Sequence, residues 1–194
     1  DPYARLDNAG LRLSALKENL DASTALFAQL LRKPDFADDA VAQLRQQTLA
    51  RIQREQNDGG ALTQRILPRL LFGDAHPNAG PLTGSGRKEI IAALKPDTLH
   101  AFHQRWFNPQ TATLIAVGNI DMTQFKALAQ KYFADWQNSA SAAPPPPMPI
   151  APTQAQPAIY FVDLPGSSQA TITAAKVIPL ASNQIDMRAL NLAD

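Results

Sequence analysis

The stretch "LHAFHQRWFNPQTATLIAVGNID", Leu99 to Asp121, changes its periodicity partway through. Leu99, Phe102 and Trp106 recur at helical spacing, which predicts a helix with one apolar face. Pro96 in the preceding "KPDTL" falls in the first turn, where its missing N–H costs nothing. "TATLIAVGN" is then rich in branched residues and lies between Pro109 and Gly118, the pattern of a buried strand. "DMTQFKALAQKYFADW" returns to helical spacing, with Asp121 placed to cap it.

Upstream, "GLRLSAL" (Gly10–Leu16) alternates like a half-buried strand. "NLDASTALFAQLLRKPDF" carries Leu26, Phe27, Leu30 and Leu31 at helical spacing and ends at Pro34. A long helix is predicted from about Ala37 to Asn57, with Asp38 and Asp39 at its positive end. Val41, Leu44, Thr48 and Ile52 form its stripe, and Gly59–Gly60 stop it. "ALTQRILPRLLFG" reads as a further helix, kinked or split at Pro68. "DAHPNAGPLTGSG" is a loop by composition, and "SGRKEIIAAL" a short helix.

Downstream the composition breaks. Residues 139–157, within "NSASAAPPPPMPIAPTQAQP", form a Pro-rich linker, extended and solvated. Beyond it "AIYFVDL" and "QATITAAKVI" read as two strands joined by "PGSS", and "NQIDMRALNLAD" opens a last helix. The pattern predicts an α+β chain, with helices packed on a mostly antiparallel sheet. It starts in mid-pattern at Asp1 and stops inside a helix, so a fragment is expected: 1–138 as the C-terminal portion of one domain, 158–194 as the truncated start of the next.

Hydrophobic residues make up 45% and charged residues 18% of the chain, as in ordinary globular proteins. A net charge of +1 gives no bulk electrostatic case for nucleic acid or an anionic membrane. No run approaches the ~20 apolar residues of a membrane span. The absence of cysteine excludes disulfides, thiolate metal sites and cysteine nucleophiles.

Four segments resemble the M16 (pitrilysin/insulinase-like) peptidases, in the family's order: "ENLDASTALFAQLLRKPDF", "LLFGDAHPNAGPLTGS", the opening stretch Leu99–Asp121, and "IYFVDLPGSSQATITAA". The resemblance implies an M16/LuxS-like metallohydrolase-type sandwich that occurs in tandem copies, two of which enclose a peptide chamber. It also implies an H-x-x-E-H zinc motif, with a Glu on a later helix as third ligand.

This chain departs from that pattern. None of His76, His100 and His103 fits the motif, which in the family lies upstream of Asp1. The third-ligand helix is present. Zinc-binding members carry two Glu seven apart on it, and laid from Phe36 those positions fall on Leu44 and Arg51. Arginine stays cationic and cannot ligate zinc. Glu55, the least-bad alternative, lies one turn later, ~6 Å along the axis. The reading is therefore no catalytic residue, no metal ligand and no cofactor in this chain, with zinc only where a parent protein carries an active repeat. The bland reading of Arg51, a stem lying over the core, agrees.

Other constellations are weaker. His100 and His103 stand i, i+3, with Asp97 nearby, but no third ligand is spaced for a metal, and a packed core histidine is the preferred reading for His103. His76 reads as a turn residue before Pro77, and Ser167 and Ser168 match no nucleophile elbow. Arg45, Arg51, Arg54, Arg65 and Arg69 could form a basic patch for an acidic partner; a solvated face is the default.

The resemblance thus implies a non-catalytic, substrate-enclosing domain that helps bind extended peptides, with strand addition at a free sheet edge as one mode. Its expected partners are a zinc-bearing M16-like repeat or subunit, as a homo- or hetero-dimer, and peptides, with neither nucleic acid nor membrane insertion. Two alternatives stay open: part of an active zinc metalloendopeptidase whose H-x-x-E-H lies outside this chain, and a structural assembly module without peptide binding. The family's bacterial members point to the periplasm or cell envelope.

Overall fold

A computed structural model describes residues 1–5, 8–137, 149 and 157–177. The expected last helix and most of the Pro-rich linker lie outside the described residues. The chain divides into two compact units, Asp1–Gln46 with Ala93–Pro145, and Gln47–Ala92 with Pro146–Asp194.

In the first unit, strands β1 (Pro2–Ala4) and β2 (Ala9–Leu11) form an antiparallel pair in the register Pro2↔Leu11, Tyr3↔Gly10, Ala4↔Ala9. Helix α1 (Leu20–Arg32) ends just before Pro34 and buries Thr24 and Ala28. It packs on α6 (Met122–Phe133), where Phe27 meets Phe133 edge-on at 6.3 Å. Arg32 Nη1 ties the two ends, donating to the Tyr132 carbonyl at 2.9 Å and pairing with Asp135 at 2.8 Å. Asp121 caps α6, its carboxylate accepting the Gln124 amide at 2.8 Å.

Helix α5 (Pro96–Trp106) begins at its proline, as its sequence predicts. It leaves through Asn108, only 4% exposed, whose side-chain carbonyl accepts the amides of Gln110 and Thr111. Phe36 follows α1 with φ of 47°, a left-handed conformation rare for a non-glycine. Its ring meets His100 at 4.9 Å and His103 at 6.1 Å, both edge-on.

Helix α2 (Asp38–Gln56) is one continuous element whose second half belongs to the second unit. Leu44, expected in its apolar stripe, is 62% exposed, whereas Val41 and Ile52 are buried. The glycine pair does not act as a terminator. Gly59 and Gly60 open α3 (Gly59–Phe72) behind the N-cap Asp58, whose carboxylate accepts the Ala61 amide at 2.7 Å. Nor does Pro68 split that helix. A proline leaves the carbonyl four residues earlier without its partner. Here that carbonyl, on Gln64, accepts the Leu82 amide at 3.0 Å instead. The described part of the second unit also holds a 3-10 turn at Pro77–Ala79 and α4 (Lys88–Ala93).

Among the described residues the only sheet is the β1–β2 pair. The strand expected over Gly10–Leu16 shrinks to Ala9–Leu11. Residues 112–117, 157–164 and 170–177 carry strand-like sequence and run without any ladder. An apolar, branched segment favours extended backbone, but a strand exists only where a neighbour takes its N–H and C=O groups.

Candidate functional site

The residues that bear on metal chemistry meet where α2 gives way to α3. Asp58 and the glycines reverse the chain, so Glu55, in the last turn of α2, faces Arg65 of α3. The loop after the 3-10 turn closes over them. Gly84 and Gly86 have φ of 73° and 78°, values open to glycine at little cost. Between them Ser85 points inward and is 1% exposed.

The Glu55 carboxylate is held from several sides. Its Oε2 accepts from Arg65 Nη1 at 2.7 Å, Ser85 Oγ at 2.5 Å and Thr83 Oγ1 at 3.1 Å. Arg65 also donates to Ser85 Oγ and, through Nη2, to the Gly86 carbonyl at 3.0 Å. Glu55 Oε1 lies 3.6 Å from Arg51 Nε. The side chains of Glu55 and Arg65 are 12% and 9% exposed, so this ion pair is largely buried. Burial pushes the Glu55 carboxyl up, but hydrogen bonds from Ser85, Arg65 and Thr83, with the charge of Arg65, outweigh it and hold the group below its ordinary value.

A carboxylate in this state does not fit a zinc site. Its Oε2 accepts from one guanidinium group and two hydroxyls, and its Oε1 faces the Arg51 guanidinium. A dication here would face Arg51 and Arg65 at close range. Arg51 itself is half exposed and contributes no donor atom to a metal. Leu44 lies in the first unit's half of α2.

The histidines have other work. His103 Nε2 lies 2.8 Å from the Leu31 carbonyl, which requires that nitrogen to carry its proton, and the ring stacks on Phe107 at 4.8 Å. His100 packs against Phe36. The i, i+3 pair is thus part of an aromatic cluster rather than a ligand set. His76 Nδ1 accepts the Asn78 amide at 3.0 Å, and its ring stacks on Phe72. Ser167 is a turn residue whose hydroxyl donates to the Gln169 carbonyl. Among the described residues no group of three His, Asp or Glu could hold a metal.

The five arginines do not form one basic patch. Arg45 donates to the Leu94 carbonyl and Arg65 is buried on Glu55; Arg51, Arg54 and Arg69 are exposed, Arg69 with its charge paired to Asp74. Sequence reasoning missed that Glu55 and Arg65 are a pair. The signal was available: an acid ending one helix and a cation nearly two turns into the next, across an Asp-Gly-Gly reversal.

Residues 93–194 match the family profile described as "Peptidase M16 inactive domain". An uncharacterized zinc protease of Mycobacterium leprae is 28% identical over 118 residues, 61% of this chain and 26% of that protein. The probable zinc protease PqqL of Escherichia coli is 28% identical over 112 residues, 58% of this chain and 12% of PqqL. The crystal structure of the first half of periplasmic PqqL matches with a TM-score of 0.54 and 25% identity, covering 73% of this chain and 29% of that one. The structure of PqqL itself gives a TM-score of 0.56 at 24% identity, covering 73% and 15%. The chain therefore spans roughly a quarter or less of the curated relatives it matches.

Proposed function

The chain belongs to the M16 peptidase family, through its inactive domain, and from that premise we propose that it is a non-catalytic, substrate-enclosing part of a larger M16 metallopeptidase. Residues 1–138 are the C-terminal portion of one M16-like domain, 139–157 its linker and 158–194 the start of the next. Its partner is a zinc-bearing M16 repeat or subunit, and its ligands are extended peptides. The relatives named as zinc proteases are far longer than the matched stretch, which supports a catalytic centre elsewhere in the assembly. Among the described residues no helix is long and apolar enough to cross a membrane. The periplasmic PqqL likeness supports that compartment.

One observation carries the non-catalytic reading. Glu55, the acid nearest the third-ligand position that the family resemblance implies, accepts from Arg65, Ser85 and Thr83, and Arg51, which the same resemblance puts at that position, lies beside it. The test is metal analysis of the dialysed chain, with Glu55→Ala and Arg51→Ala beside it, and titration with a labelled unfolded peptide. Zinc far below one per chain in all three proteins, with saturable peptide binding, is expected. Near-stoichiometric zinc that disappears in Glu55→Ala would overturn the metal-free assignment, and absence of peptide binding would overturn the enclosing role.

A further inference from the structure

The first unit holds a cavity of about 210 Å³ where the ends of α1 and α5 meet the turn after α6. Two aromatic rings line it, Phe107 just past α5 and Trp136 just past α6. The His103 ring stacks on Phe107 at 4.8 Å, and Phe133 lies against Trp136 at 6.2 Å, so both rings are backed by others. The volume is below the ~300–1,000 Å³ of a site that encloses a whole small molecule. It suits one large apolar side chain.

Two cations, Arg32 and Lys33, line the same cavity. Arg32 is already engaged, donating to the Tyr132 carbonyl and pairing with Asp135 at 2.8 Å. Lys33 is exposed, and among the described residues it makes no ion pair. Once Arg32 and Asp135 offset each other, the charge of Lys33 remains. Bare carbonyls at helix C-termini would repel an anion here. Two of those carbonyls are covered, however: Leu31 accepts from His103 at 2.8 Å, and Tyr132 accepts from Arg32. What faces the cavity is a free cation beside apolar walls.

A ligand residue that carries an apolar side chain and a carboxylate together matches this arrangement. The last residue of a peptide has both. An internal Asp or Glu does not, because its carboxylate is the tip of the side chain that would have to enter between the rings, where losing water is costly. We propose that the cavity takes the C-terminal residue of an extended peptide, with its apolar side chain against Phe107 and Trp136 and its α-carboxylate on Lys33. This rests on the peptide-enclosing reading of the chain and adds to it a preference for a free peptide end.

The test is fluorescence anisotropy with the 194-residue chain and three labelled peptides of equal length. One ends in phenylalanine with a free carboxylate, one is its C-terminal amide, and one is an amide with a glutamate at its centre. The free acid should bind about fivefold more tightly than either amide, as expected for one partly solvated ion pair. Lys33→Gln should abolish the preference and Lys33→Arg should keep it. Trp136→Ala should weaken the free acid and its amide alike. Lys33 is exposed, so its variants decide the matter even if Trp136→Ala does not fold. Equal affinity for acid and amide overturns the proposal. So does a preference that survives in Lys33→Gln, or a central glutamate that binds as tightly as the terminal carboxylate. In those cases peptide is still bound and the enclosing role stands; failure of all three peptides to bind would sink that role as well.

Discussion

The carbonyl of Gln64 accepts the amide of Leu82 at 3.0 Å, and Pro68, which has no N–H to offer it, is the reason that carbonyl is available. An alanine at 68 would supply the missing amide and compete for the same oxygen. In Pro68→Ala the Leu82 amide should therefore exchange about fivefold faster, as expected for losing a net ~1 kcal/mol hydrogen bond. The amide of Leu62, in the first turn of the same helix, serves as the internal reference. Unchanged exchange at Leu82 would show that the loop does not depend on this contact.

Glu55→Gln keeps the shape of the side chain and removes its charge. Arg65 would stay buried without a counter-ion, and leaving one partner of a buried pair alone costs about 3 kcal/mol. Replacing both residues by methionine should cost less than the sum of the two single replacements. Chemical denaturation of the four proteins checks this; additive losses would mean that the pair is not coupled.

The Glu55 carboxyl is held below its ordinary value of 4.5, so the folded state binds this proton less readily than the unfolded chain. The resulting stability is present above the unfolded value and disappears as the pH falls through the lower folded one. Unfolding midpoints should vary little on this account between pH 7 and roughly pH 5 and decline below it. In Glu55→Gln the decline should be shallower. Asp21, Asp74 and Asp135 are also lowered by their Lys or Arg partners, but in solvent, where such pairs contribute little.

Gly59 and Gly60 both lie in the first turn of α3, yet their surroundings differ. A Cβ on Gly59 would stand 2.7 Å from Thr171 Oγ1, whereas one on Gly60 would meet only Asp58 Oδ1 at 3.4 Å. Gly60→Ala should raise stability by ~0.5 kcal/mol through helix preference. Gly59→Ala should show no such gain, because the 171 side chain must move. Thr171→Ala in the Gly59→Ala background should restore it, as calorimetry can show. Equal gains at both positions would place the 164–171 turn away from this helix.

Helices were readable because their cause is local. Pro96 and Asp121 mark the starts of α5 and α6 in the sequence itself, and apolar spacing marks α1 as a helix, although Leu26 and Leu30 of the expected stripe are 63% and 62% exposed and the buried residues are Thr24 and Ala28. Sheet content was not readable in the same way. Residues 112–117 have the right side chains, but a strand needs a neighbour, and no single segment's sequence names one. At the candidate site, Arg51 stood out only through the family resemblance, which implies an acid at that position. The capture of Glu55 was not visible, because Ser85 and Thr83 arrive from a loop thirty and twenty-eight residues further on, brought there by the glycines and by the Gln64 carbonyl.

Phe36 shows how far this chain can be improved by simple rules. Its backbone angle would suit a glycine, and a survey of unfavourable torsions would flag it first for replacement. The same residue supplies the ring edge against which both histidines of α5 rest. Relaxing the main chain there would strip the α1–α2 connection of its anchor. Engineers seeking a hardier version of this protein should look elsewhere, and Gly60 is the safer place to begin.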